Sequence, residues 1–245
     1  MKIGIFVAMQ EEAEQTIQAL HLLASRQQPF KCSRVYQSAD ESIVLITPQL
    51  VTVDGTPISR AGKVAAAQST ALLIEHFKPD LIINPGTAGG IKERGACVGD
   101  VYTGSVQQHD AFMAHPVYQQ HACRVLQTQG PEICTALNIK VKEGMISTGE
   151  SFKKSDDEWR RIETSDAVVL EMEAFAVAEV VNTMMPLKNN KLPLVCIKGI
   201  TDAHNMGLLD AQGHQMYEDN LKMAMDGVLM VLAQLLEKSR ENTQR

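Results

Sequence analysis

Three carboxylates, Glu12, Glu173 and Asp202, stand at or just past the ends of short apolar runs with the composition of buried strands. Glu12 follows Ile3-Gly4-Ile5-Phe6-Val7-Ala8-Met9, Glu173 follows Val168-Val169-Leu170, and Asp202 follows Leu194-Val195-Cys196-Ile197. Ligands of open α/β sheets bind in the crevice outside the carboxyl ends of the strands, so acids distant in the chain can share one pocket. Acids grouped without metal-ligand spacing point to proton chemistry on a small molecule. Each also has a structural reading. Glu11 and Glu12 suit the first turn of a helix, where the dipole favours negative charge, and Asp202 after Thr201 can cap a turn. Glu171 and Glu173 interrupt an apolar stretch from Ala167 to Val181, and an unpartnered buried carboxylate is expensive. At least one of that pair is expected to face a ligand or a cation.

Gly86-Thr87-Ala88-Gly89-Gly90 follows the run Leu81-Ile82-Ile83-Asn84 and reads as a loop in which a substrate can approach the backbone, with Thr87 adding a hydroxyl. The spacing is not that of a dinucleotide fingerprint, and no Lys-Ser/Thr pair closes it as in a P-loop. A tight turn between strands is the structural alternative. His109-Asp110 has no nucleophile motif beside it, which favours a loop position near the pocket or the surface. Met9 and Met172 adjoin the candidate acids and suit an apolar pocket wall.

The elements that must position these residues alternate between strand-like and helix-like patterns. The spacing predicts a helix over Glu11–Leu23, hairpin material over 29–60, a helix from Gly62 to His76 and a strand over Leu81–Asn84. Further strands are expected from Gly99 and over Gly144–Thr148, with helices from Ala174 to about Met184 and from about His214 to Lys238. The stretch 105–140 shows no clear pattern, and 239–245 reads as a frayed tail. With no repeat or long linker, residues 1–245 read as one domain. The expected fold is an α/β three-layer sandwich with a mixed central sheet flanked by helices.

A net charge of -6 with scattered Lys and Arg argues against nucleic-acid binding, which needs a basic face. No apolar stretch approaches the roughly 20 residues of a membrane span, so no membrane partner is expected. Five cysteines without paired metal spacing suit a reducing, cytoplasmic setting and give no metal site.

The ordered set of segments resembles the 5′-methylthioadenosine/S-adenosylhomocysteine nucleosidases of the nucleoside phosphorylase superfamily. The carrying segments are Ile5 to Glu12, Ser59 to Ala67, Lys78 to Gly90, Val98 to Val101, His109-Asp110, Ser147 to Phe152, Glu171 to Ala174 and Ile197 to Asp202. The resemblance implies hydrolysis of the N-glycosidic bond of 5′-methylthioadenosine, with S-adenosylhomocysteine as a second candidate substrate, by a homodimer that needs no cofactor. It makes Glu12 the general base for water, Asp202 the acid assisting protonation of purine N7, and Glu173 the holder of the ribose hydroxyls. Met172 would lie against sugar and base, Thr87 near the sugar and water, and Phe152 against adenine. Met9, Glu171, Ala61 and Gly89 complete the expected binding set.

The chemistry gives these roles independent sense. Breaking a glycosidic bond passes through an oxocarbenium-like state that nearby negative charge stabilises, and a protonated purine leaves more readily. Arg60 departs from the small residue expected between Ser59 and Ala61, and a guanidinium in the pocket would bind phosphate. A phosphate-dependent purine nucleoside phosphorylase is therefore the alternative enzyme. A non-catalytic adenosine-binding module is the alternative outside catalysis, and nucleosidases of futalosine or AMP are alternatives within it. Met113 and Pro116 are candidates for a wall contributed by a partner subunit, and Met216-Tyr217 for a lid.

Overall fold

The computed structural model describes residues 1–26, 28–113, 115–151, 153–184, 192–204 and 211–243, apart from the side chains of 204, 211–218 and 242–243. The first half of the chain contains β1 (Ile3–Phe6), α1 (Gln10–Ala19), β2 (Leu23–Ala24), β3 (Ser33–Gln37), β4 (Ile43–Pro48), β5 (Val51–Val53), β6 (Thr56–Ile58), α2 (Lys63–Phe77) and β7 (Leu81–Ile91). The second half contains β8 (Val101–Thr103), β9 (Val106–Gln108), α3 (Pro116–Ala122), α4 (Gly130–Ala136), β10 (Lys142–Glu143) and β11 (Met145–Thr148). It continues with α5 (Asp156–Glu163), β12 (Ala167–Glu171), α6 (Ala174–Met184), β13 (Leu194–His204) and α7 (Ala211–Thr243).

The main sheet runs in the order β10-β8-β13-β7-β1-β4-β3-β2, while β12 joins β7 and leads on to β11 and β9. β7 is parallel to β1 and β13 and antiparallel to β12, so the sheet is mixed. Alternate residues of the central strands enter two different cores, as the two-residue period of a strand requires. Ile82, Leu194 and Cys196 pack with Ala66 and Leu73 of α2 and Val177 and Val181 of α6. Leu81, Ile83, Val195 and Ile197 pack on the other face with Ala13 of α1 and Met225, Val228 and Leu232 of α7. Both faces being covered explains why these strands read as continuous apolar runs. The result is the expected three-layer α/β arrangement.

Three expectations are corrected. The stretch Gly86–Gly90 is neither loop nor turn but the second half of β7, because β13 pairs with it as far as His204↔Ile91 and β12 pairs antiparallel at Gly89 and Gly90. The first helix ends at Ala19, since Leu23 and Ala24 form β2 against β3. The chain beyond Ser239, expected as a frayed tail, stays helical to Thr243. There Arg240 Nη2 donates to Ser42 Oγ at 3.1 Å.

Candidate active site

The candidate acids meet because β1, β12 and β13 all pair with β7. β1 leads through Ala8 and Met9 into α1, whose first turn carries Glu12. That glutamate, far from being a solvated first-turn acid, is only 3% exposed. Its Oε1 accepts hydrogen bonds from the Thr87 backbone N–H at 2.7 Å and the Thr87 hydroxyl at 2.6 Å. Glycine at 86 leaves the room: a Cβ there would lie 3.2 Å from Glu12 Oε2. Burial pushes the Glu12 pKa above the ordinary carboxylate value, against the opposing effects of the Thr87 hydroxyl and Lys198.

Asp202 lies within β13, not beyond its end, and owes its direction to a β-bulge. Ile200 pairs with Ala88 and Asp202 with Gly89, so Thr201 is the extra residue. The Thr201 hydroxyl donates to Asp202 Oδ1 at 2.7 Å, and a Cβ on Gly89 would stand 3.0 Å from Oδ2. The Thr201 carbonyl is held in turn by Asn220 Nδ2 of α7 at 2.9 Å.

Glu171 and Glu173 flank the junction of β12 and α6 and divide the work. Glu171 Oε2 accepts from the backbone N–H groups of Glu173 at 3.0 Å and Ala174 at 2.8 Å, satisfying orphan donors at the start of α6. Its Oε1 accepts from the Thr148 hydroxyl, and its charge is met by Lys198 Nζ at 3.2 Å. Glu173 Oε1 accepts from the Gly62 N–H at 2.7 Å. Burial and the neighbouring Glu171 raise its pKa to about 7. Lys198 is 2% exposed; burial works against its charge, but Glu171 and Glu173 outweigh that and hold its pKa above the ordinary lysine value. The expectation that at least one acid of this pair faces a ligand or a cation is met at Glu171, by Lys198.

These groups line a cavity of about 300 Å³. Glu12, Asp202, Glu173, Glu171, Met172, Met9, Thr87, Ala61 and Gly89 all face it, whereas Phe152 lies outside the described residues. The side chains of Met216 and Tyr217, the candidate lid, are also outside them. The sequence reading missed Lys198, Lys154, Trp159, Thr201 and Asn84, which line the cavity too. Arg60 is not a lining residue. His109 does not line the cavity and is not on the surface: it is buried just after β9, with Nδ1 3.0 Å from Ser147 Oγ. Asp110 binds Lys63 Nζ at 2.7 Å, tying the segment after β9 to the start of α2. Among the described residues no group of three or more His, Cys, Asp or Glu side chains could hold a metal ion. No helix among them is long and apolar enough to cross a membrane.

Residues 2–237 match the phosphorylase superfamily. A 5′-methylthioadenosine/S-adenosylhomocysteine nucleosidase of Arabidopsis thaliana is 36% identical over 207 residues, which is 82% of this chain and 78% of the relative. The chain belongs to this nucleosidase family. A solved MTA/SAH nucleosidase superposes with a TM-score of 0.84 at 30% identity, covering 96% of this chain and 94% of its own. The apo 5′-methylthioadenosine nucleosidase of Arabidopsis thaliana has the same TM-score at 27% identity, with coverage of 96% and 94%. A futalosine hydrolase of Helicobacter pylori, 20% identical with a TM-score of 0.75 and covering 97% and 98%, shares the fold. The nucleosidase family and its relatives thus occupy one architecture in which the fold alone does not choose the purine nucleoside.

Proposed function

We propose that this chain hydrolyses the N-glycosidic bond of 5′-methylthioadenosine and S-adenosylhomocysteine, giving adenine and the 5′-thioribose product. Glu12 takes a proton from the attacking water, Asp202 assists proton delivery to purine N7, and Glu173 holds the ribose hydroxyls. Met9 and Met172 give the nucleoside an apolar wall. The C1′–N9 bond breaks with its electron pair passing into the purine, N7 gains the proton, and the water oxygen bonds to C1′.

The observation that carries this reading is the buried Glu12 carboxylate, fixed by both Thr87 donors on one oxygen at the cavity wall. A phosphate nucleophile would meet that carboxylate head-on. Arg60 is not at the cavity wall, and Lys198 is paired with Glu171, which disfavours the phosphorylase alternative. A bare adenosine-binding module has no use for a base at the water side and an acid at the purine side. The shared sheet beneath both cores supports one domain over 1–245.

A homodimer is part of this proposal. Phe112, Val117 and Tyr118 are 72%, 64% and 65% exposed, with Met113 and Pro116 between them, and an apolar surface of this kind suits a subunit contact. A cytoplasmic location in methionine salvage fits the same reading.

The decisive experiment is product analysis by mass spectrometry with 5′-methylthioadenosine in phosphate-free buffer. Adenine and free 5′-methylthioribose are expected, and strict dependence on added phosphate would overturn hydrolysis. Glu12→Gln should keep ligand binding and lose turnover by about 10²-fold or more; a near-normal rate removes Glu12 as the base.

A further inference from the structure

The start of α2 offers two successive backbone donors, and two carboxylates from distant segments take them. Gly62 N–H donates to Glu173 Oε1 at 2.7 Å, and Lys63 N–H donates to Glu150 Oε1 at 2.9 Å. Such N–H groups have no partner within the helix, and negative charge is favoured beside them. Gly62 has no side chain to cap the helix with and adopts φ +101°. A Cβ there would crowd Glu150 Oε1 at 3.3 Å. A residue so permissive does not fix its own peptide planes, so the direction of the Gly62 N–H is set from outside.

The outside support is a closed ring of three residues. Glu150 Oε1 accepts from the Lys63 N–H, Glu150 N–H donates to Asp110 Oδ2 at 3.0 Å, and Asp110 Oδ1 accepts from Lys63 Nζ at 2.7 Å. Gln108 Oε1 accepts from the same ammonium at 3.2 Å. The ring ties the segments after β9 and β11 to the first residue of α2. Asp110, Lys63 and Glu150 do not line the cavity, yet their ring closes on the residue next to the donor that holds Glu173. We propose that Asp110 and Glu150 are positioning residues, which act through the Gly62 N–H to aim the Glu173 carboxylate at the ribose hydroxyls. This deepens the proposed function and rests on it, because Glu173 is the sugar-holding acid there.

The test is the preference for 5′-methylthioadenosine over its 2′-deoxy and 3′-deoxy analogues in phosphate-free buffer. It is read as a ratio of kcat/KM values within each preparation, which is independent of the active fraction. Asp110→Asn keeps the size of the side chain and turns one acceptor into a donor. Glu150→Ala removes the partner of the Lys63 N–H; Glu150 is exposed, so this variant carries the test if the Asp110 variant does not fold. Each should lower the larger of the two preferences by about threefold or more, the scale of one weakened hydrogen bond. Glu173→Ala should lower it further, and adding either change to Glu173→Ala should move it less than about twofold, as residues acting through Glu173 require. A smaller effect beside an intact Glu173, or an effect that persists without Glu173, overturns the inference and leaves the nucleosidase reading standing. An unchanged preference in Glu173→Ala overturns the sugar-holding role of Glu173 and the inference with it.

Discussion

Thr87 holds Glu12 through a main-chain and a side-chain donor on the same carboxylate oxygen. Thr87→Val keeps the first and removes the second, and is expected to lower kcat about tenfold or more in steady-state assays. Thr87→Ser should stay close to wild type. Glu173 gives a pH signature. Its pKa rises from 4.5 to about 7 on folding, so the native state is favoured at low pH and loses that advantage as pH rises through this window. Thermal unfolding should therefore show Glu173→Gln gaining stability relative to wild type at pH 8 and little at pH 5. These acids were legible in the sequence because a carboxylate inside an apolar run is costly and needs a reason. Lys198 and Lys154 were not. Lysines are mostly surface residues, and the partners of Lys198 are brought to it only by the pairing of β12 and β13 with β7.

At the scale of the elements, the β12–α6 junction depends on an ion pair. Glu171 closes the start of α6 with its carboxylate, and Lys198 of β13 answers the charge. Lys198→Met leaves that charge buried and unpaired, and should cost about 3 kcal/mol or more in chemical denaturation. Adding Glu171→Gln should recover part of the loss, the coupling being read from the double-mutant cycle. The short apolar runs of β1, β4 and β13 could be read directly, since a strand covered on both faces has no polar alternation to hide it. The glycine-rich half of β7 could not, because glycine is a poor strand former and only its neighbours make it one. Ser155-Asp156-Asp157-Glu158 carried a helix-start signature for α5 that passed unread, together with the lysine just before it.

At the scale of the whole molecule, the segment around Phe112 and Tyr118 leaves large apolar side chains exposed. Sedimentation velocity should give a particle of about twice 26.9 kDa, and Phe112→Glu with Tyr118→Glu should yield the monomer. The central position of β7 has one more effect, on how the enzyme comes into being. Ile82 pairs with Leu194, and Gly89 with Asp202, partners from opposite halves of the chain. Contacts so distant in sequence form late, after the entropy of closing a long loop has been met. A nascent chain therefore has no site until β13 has left the ribosome and docked. In refolding, the return of glycosidase activity should trail the recovery of helical signal and mark the end of the reaction.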